Sequence, residues 1–425
     1  PPFRADLSSC HLSTAPSFWR HDSLFFSMTR FSILARLIIT TLALPSALPG
    51  SDQQFFARHT HPLTITPDGS RLLALNSAEG RLSVFAVGEN PLLISEIPVG
   101  LLPVSVRLRT ADEAWVINEL SDAISVVSLS QNAVIASIPT GDEPADVAFA
   151  QGKAFVTCSR DNSVQVIDPV RHELIDTIAL EGLMPRSIVA SPDGSKLYTT
   201  FLNTSNGTTI LPRDKAPAQD IPANINPELP APPKVAQIVP ISHPEITYDV
   251  LDHDLATLDP ISLTVTSYTG DLGTNILNTA VAPNGDLPIA NSEARNLIAL
   301  EPNLRARFAR TRVAHLGTTT IQIDLNPDPD LSFPTIDSNA RDQTLAQVMA
   351  ILPTPDSSHA WLAAFGSDRL VRLDLTDHSL SGFIDLRTLD SADTPRSGQT
   401  VRGPRGLALH PTAPRLFVLN RLSHT

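Results

Sequence analysis

The chain has 425 residues, a formal charge of -13, 42% hydrophobic and 18% charged residues, 37 prolines and two cysteines. It is too apolar for a disordered polypeptide and too long for one small domain. Proline at roughly twice its usual share, with 5% aromatics, excludes long helical bundles and favours short strands between turns. An acidic chain with no run of basic residues excludes nucleic acid as a partner.

Residues 1–27 precede the first methionine, Met28, and are read as upstream or non-native extension. Residues 28–50 have the grammar of a signal peptide: Arg30 and Arg36, an apolar run from Leu37 to Leu44, then Pro45-Ser46-Ala47. The run is too short to span a bilayer. The expected mature chain starts between Leu48 and Ser51, retains no transmembrane segment after cleavage, and is periplasmic or secreted. That body, residues 51–425, carries a charge of -15 from 27 basic and 42 acidic groups. It keeps only Cys158, so no intrachain disulfide can staple it.

Pro62, Pro103, Pro144 and Pro185 are spaced by 41 residues each time, the mark of a repeat architecture. Each opens the same cassette of four short strands. The second strands read Leu72-Leu-Ala-Leu-Asn76, Ala114-Trp-Val-Ile-Asn118, Ala154-Phe-Val-Thr-Cys158 and Lys196-Leu-Tyr-Thr-Thr-Phe201. Trp115 and Trp361 fall on second strands and are expected as core anchors. First and second strands are joined at Pro67-Asp-Gly69, Pro192-Asp-Gly194, Pro283-Asn-Gly285 and Pro355-Asp-Ser357. Proline presets the first turn residue, and Asp-Gly or Asn-Gly accepts positive φ. The turns into the third strands are Glu79-Gly80, Ser121-Asp122 and Asp161-Asn162. Later repeats start at Ile276, Val348 and Pro404, after insertions.

Four antiparallel strands every forty-odd residues cannot cover both faces alone, and radial packing of successive sheets solves this. The fold expected is all-β, a seven-bladed β-propeller of four-stranded antiparallel blades with the last blade truncated. The seventh repeat stops after Arg415-Leu-Phe-Val-Leu-Asn420, and residues 51–60 are a candidate outer strand for it. The natural polypeptide is expected to continue. The largest insertion, residues 203–250, lies between the second and third strands of blade four and is rich in proline.

At the ends of the second strands, Asn76, Asn118, Cys158, Asn291 and Asn420, with Phe201 and Phe365 departing, the chain resembles the bacterial Tyr-Val-Thr-Asn repeat propellers. The resemblance covers about residues 55–425. The segments Ala290-Asn-Ser-Glu-Ala-Arg-Asn296 and Trp361-Leu-Ala-Ala-Phe-Gly-Ser-Asp368 look like exported members in which the propeller precedes a c-type cytochrome region. What that resemblance implies is haem c in a continuation beyond Thr425. This chain itself has no Cys-x-x-Cys-His motif, its two cysteines being 148 positions apart, and no cofactor is expected within it.

No catalytic residue is nominated, because no Gly-x-Ser-x-Gly elbow, His-Glu-x-x-His helix, phosphate loop or dinucleotide fingerprint occurs. The asparagines that end second strands are expected to bond turn backbone rather than ligand. Two clusters are weak metal candidates. One comprises His243, Asp252, His253 and Asp254, where histidines and carboxylates gather without tetrahedral spacing. The other is Asp324, Asn326, Asp328 and Asp330, oxygen ligands at alternate positions without the glycine and glutamate of an EF-hand loop. The expected function is an exported binding or scaffold module that takes a protein or small-molecule ligand on a loop face. The alternatives are the propeller part of a periplasmic c-type cytochrome oxidoreductase and, third, a lactone hydrolase.

Overall fold

The computed structural model describes residues 58–216, 223–231, 237–298, 301–304, 307–326, 343–388 and 401–422. The expected leader, residues 1–27 and residues 51–57 lie outside them. Six four-stranded antiparallel sheets follow one another along the chain, spanning residues 63–98, 103–139, 144–179, 183–269, 275–324 and 348–385. A two-stranded sheet, Pro404–Leu409 with Leu416–Asn420, comes last. Among the described residues helix is almost absent: one turn at Glu301–Leu304 and three 3-10 turns. No described helix is long and apolar enough to cross a membrane.

Why the second strands are apolar at every position becomes clear from their neighbours. Successive side chains point to opposite faces of a strand. Leu73 and Leu75 of the first blade pack against Val106, Val116 and Val127 of the second, while Leu72 and Ala74 pack against Ala408 and Phe417 of the two-stranded sheet. Ala114 and Val116 face blade one, whereas Trp115 and Ile117 face Val147 and Val156 of blade three. Both faces are covered, so alternation between apolar and polar disappears. The same pattern joins blades three to four, four to five, five to six, and six to the two-stranded sheet. That sheet in turn packs on blade one, and the circuit closes as a β-propeller. Trp115 and Trp361 are buried in these inter-blade cores, as expected.

Of the seven blades expected, the last truncated, the described residues form six four-stranded ones, and the repeat starting at Pro404 contributes two paired strands. A sequence period counts repeat starts, whereas a blade requires four partners. Residues 58–60 do not form an outer strand of that repeat; their place is described below. A correction concerns the proline spacing. Pro103 and Pro144 oppose Asn118 and Cys158, the terminal rung of their second strands, and Pro185 opposes Phe201. Leu63 opposes Ala74 and the Leu75 amide donates to the Pro62 carbonyl, so Pro62 sits one rung deeper. Turn geometry, not proline, sets the register. For the same reason Ala364, paired with Val348, fills the terminal rung in blade six, and Phe365 starts a 3-10 turn.

Blade four's second strand ends at Asn203 and its third begins at Leu255. The insertion between them carries its own hairpin, Thr208–Ile210 with Ile238–Pro240.

Candidate functional site

The innermost strand of each sheet faces a central channel that encloses a cavity of about 760 Å³. Its mouth lies among the first-to-second strand turns, at Pro67, Pro283 and Pro355. Partly exposed apolar side chains such as Ile65, Phe149, Val281, Leu352 and Leu409 form the wall. Polar groups gather at the far end: Thr60, His61, Arg107, Asn278, Thr279 and Arg405. Among the described residues no aspartate or glutamate lines the cavity.

That far end is crossed by residues 58–61. The Thr60 amide donates to Val104 of blade two, and its carbonyl accepts from Asn278 Nδ2 of blade five, 3.1 Å away. Arg186 of blade four reaches Thr60 Oγ1 at 3.4 Å, and Arg405 donates to the His59 carbonyl from Nε and Nη2. His59 and Thr60 are buried. Touching three blades and the two-stranded sheet, this segment forms the floor of the channel.

The floor is organised by Asp146, which is wholly buried. Its carboxylate accepts from Arg107 Nη2 at 3.1 Å, Ser105 Oγ at 2.6 Å and the Ile188 amide at 3.1 Å, so it stitches blades two, three and four. Burial alone would raise its pKa, but Arg107 and His61 outweigh burial and hold it well below the usual carboxylate range. His61 Nδ1 lies 2.9 Å from Asp146 Oδ2 and 2.5 Å from Arg107 Nη2. Burial, then Arg107, push the His61 pKa down, so the ring is neutral at pH 7.

A second buried pair, Arg186 and Glu119 at 2.9 Å, stands behind His59 and Thr60. Arg405 has no carboxylate partner within salt-bridge distance among the described residues; besides the His59 carbonyl it meets the Phe365 ring, 5.8 Å from its centroid. Burial first, then the like charges of Arg186 and Arg421, push it down to about 9, still cationic at neutral pH. His59 is driven well below its ordinary value by burial and the same arginines.

Ser105, Asp146 and His61 bring together the residue types of a hydrolytic triad with different wiring. The serine donates to the aspartate and not to the histidine, so no base activates it. The arrangement suits recognition: two cations presented at the base of an apolar well.

The sequence-nominated metal residues are not gathered around a point. Among the described residues no three His, Cys, Asp or Glu side chains form a metal-holding group. His243 Nδ1 accepts the Glu245 amide, and His253 stacks on Tyr268 with centroids 4.0 Å apart. Asp252 accepts the Asp271 amide, and Asp254 accepts those of Leu272 and Gly273. Asp324 takes Arg307, while Asn326 both donates to and accepts from the Leu345 backbone, tying the fifth blade to the sixth. Asp328 and Asp330 lie outside the described residues. Asn118 ends its strand as expected, buried, with Nδ2 donating to the Ala123 carbonyl and Ser125 Oγ. Cys158 is buried, and burial pushes its thiol up to about 12.

None of the floor residues is among the sequence candidates. A signal existed: immediately after the inner-strand prolines, Arg186 and Arg405 stand where blades two and three have Val104 and Ala145. One position further, Asp146 stands where Ser105, Ser187 and Gly406 do. A charge at a strand position filled elsewhere by small or apolar residues departs from the repeat for a reason outside the strand.

No family model matches the chain, and no curated protein matches it in sequence. Solved structures do. A chain of Kuenenia stuttgartiensis hydrazine synthase superposes with a TM-score of 0.63 at 16% identity, covering 89% of this chain and 97% of that one. A streptogramin B lyase structure gives 0.53 at 10% identity, with 86% and 91% covered. The likeness is one of fold. At these identities it carries neither activity nor ligand.

Proposed function

We propose that the chain is an exported binding propeller of the Tyr-Val-Thr-Asn repeat type whose ligand, a small molecule, enters the central channel. The observation that carries this reading is the channel itself: about 760 Å³, within the range of ligand pockets, with apolar walls and a few polar groups converging at one end. Rigid blades on all sides make it a preformed site. In this reading the sheet at Pro404–Asn420 is the inner half of a seventh blade. Supporting that view, Asp368 of blade six reaches the Gly403 amide as corresponding residues do between earlier blades, and Asn420 occupies the terminal rung. The wiring of Ser105, Asp146 and His61 weighs against the hydrolase alternative.

The test is a ligand-observed NMR screen of small molecules on the purified chain, repeated on Thr64→Trp. Thr64 lines the cavity from blade one, and an indole there would obstruct part of it. Hits that disappear with Thr64→Trp while the melting temperature holds are the expected result. Hits indifferent to that substitution place binding elsewhere and overturn the channel reading.

A further inference from the structure

Resting on the channel as the binding site, we infer that its ligand class is the amphipathic anion: an apolar chain along the wall and a carboxylate or similar anionic head on Arg405 and Arg107 at the floor. Three independent features converge on it. First, in a protein with a charge of -13, the described residues that line this cavity include two arginines and no carboxylate. Second, the two arginines differ in how they are satisfied. Arg107 is held by Asp146, through Nε at 3.2 Å and Nη2 at 3.1 Å, which positions its guanidinium. Arg405 donates Nε and Nη2 to one backbone carbonyl, and its Nη1 has no acceptor among the described residues. A planar guanidinium with a free edge is suited to a carboxylate or phosphate oxygen.

Third, the charges behind the floor do not neutralise it. Glu119 is committed to Arg186, and Asp146 to Arg107 and His61. Buried His59 and His61 are held neutral, so they add no charge at pH 7. The neighbours that act on Arg405 are two further arginines, Arg186 and Arg421, with Glu119 the one carboxylate among them. An anion arriving at Arg405 relieves repulsion in a water-poor setting where charge pairing is strong. Above it, the partly exposed Ile65, Phe149, Val281, Leu352 and Leu409 offer no hydrogen-bond partner through their side chains. They favour a hydrocarbon of roughly ten carbons over a polar body.

The experiment titrates the full chain by calorimetry with decanoate, decanol and decyltrimethylammonium, each below its aggregation concentration. Decanoate is expected to bind at least about tenfold more tightly than decanol, and the cation not at all. Arg405→Met should erase that preference, and Arg405→Lys should keep most of it. Because Arg405 also supports the His59 carbonyl, Thr64→Glu provides a variant that leaves this contact alone: a carboxylate in the wall should abolish decanoate binding. Equal affinity for acid and alcohol overturns the anion inference while leaving the channel as a site. Binding of none of the three overturns the amphipathic class, with the NMR screen judging the channel separately. Decanoate binding that survives Thr64→Trp overturns the inference and the channel reading together.

Discussion

Asp146 and Asp254 are both fully buried carboxylates, and their surroundings drive them in opposite directions. Asp146 has Arg107 and His61 against it and stays ionised. Asp254 accepts two backbone amides and has the Thr204 hydroxyl beside it, yet burial outweighs them and raises it to about 6. A folded pKa above the unfolded one means protonated Asp254 adds stability below about pH 4, and this is lost as the pH rises through about 6. Near pH 7 the loss is on the order of 3 kcal/mol. Asp254→Asn, which cannot ionise, should therefore gain on the parent between pH 4 and 7, read by urea denaturation at both ends. A stability difference independent of pH across that window would show that Asp254 is not the group responsible. Asp254 was nominated from sequence as a metal ligand. Composition marked it as unusual, but only burial revealed the kind of peculiarity.

Between elements, the repeat's small residues have positional meaning. The glycine that closes each early repeat lies near the end of the next second strand: Gly100 on Asn118, Gly141 on Cys158, Gly182 on Phe201. A Cβ at Gly182 would come within 2.4 Å of the Phe201 ring. Sterics, not a special φ, demand glycine there. Gly182→Ala should cost about 1–3 kcal/mol through displacement of a wholly buried ring, visible as a lower melting temperature. Gly182→Ala combined with Phe201→Leu should lose less than the sum of the two single changes; strict additivity would disprove the contact. The turns into the third strands work across blades. Asp122, Asn162 and Asp368 take positive φ, which Asp and Asn tolerate, and accept the amides of Glu143, Met184 and Gly403 in the next repeat. At Pro67-Asp-Gly69 and its copies, Asp68, Asp193 and Asp356 accept from flanking hydroxyls and amides, which lower each to about 2. These turn residues were legible as punctuation, whereas their reach to a neighbouring blade was not.

Across the whole molecule, closure depends on the two-stranded sheet. Phe417 packs with Leu63, Leu72 and Phe85 of blade one, and Leu416 with Trp361 and Leu370 of blade six. Phe417→Ala removes a large buried side chain from the closing contact and should destabilise the chain by about 3–5 kcal/mol. If the ring is one cooperative unit, the loss appears at distant sites too. Hydrogen exchange should then accelerate in the second strands of blade two, Glu113–Asn118, and blade six, His359–Ala364, by similar factors. Acceleration confined to blade one and the closing sheet would refute cooperative closure. Fold-level likeness to hydrazine synthase and streptogramin B lyase chains is consistent with such a frame and leaves its contents open.

The period, the turn chemistry and the two-faced apolar strands are local properties, written in consecutive residues. From them alone a propeller of four-stranded blades, its core tryptophans and the insertion in blade four follow, because each rests on contacts within one or two repeats. Register at Pro62, the docking of the Pro404–Asn420 sheet on blade one, and the channel floor required coordinates. His59, Arg107, Asp146, Arg186 and Arg405 come from five separate stretches of chain, and no short-range pattern relates them. They meet because radial packing directs every inner strand toward one axis, where charges that are isolated in sequence become neighbours.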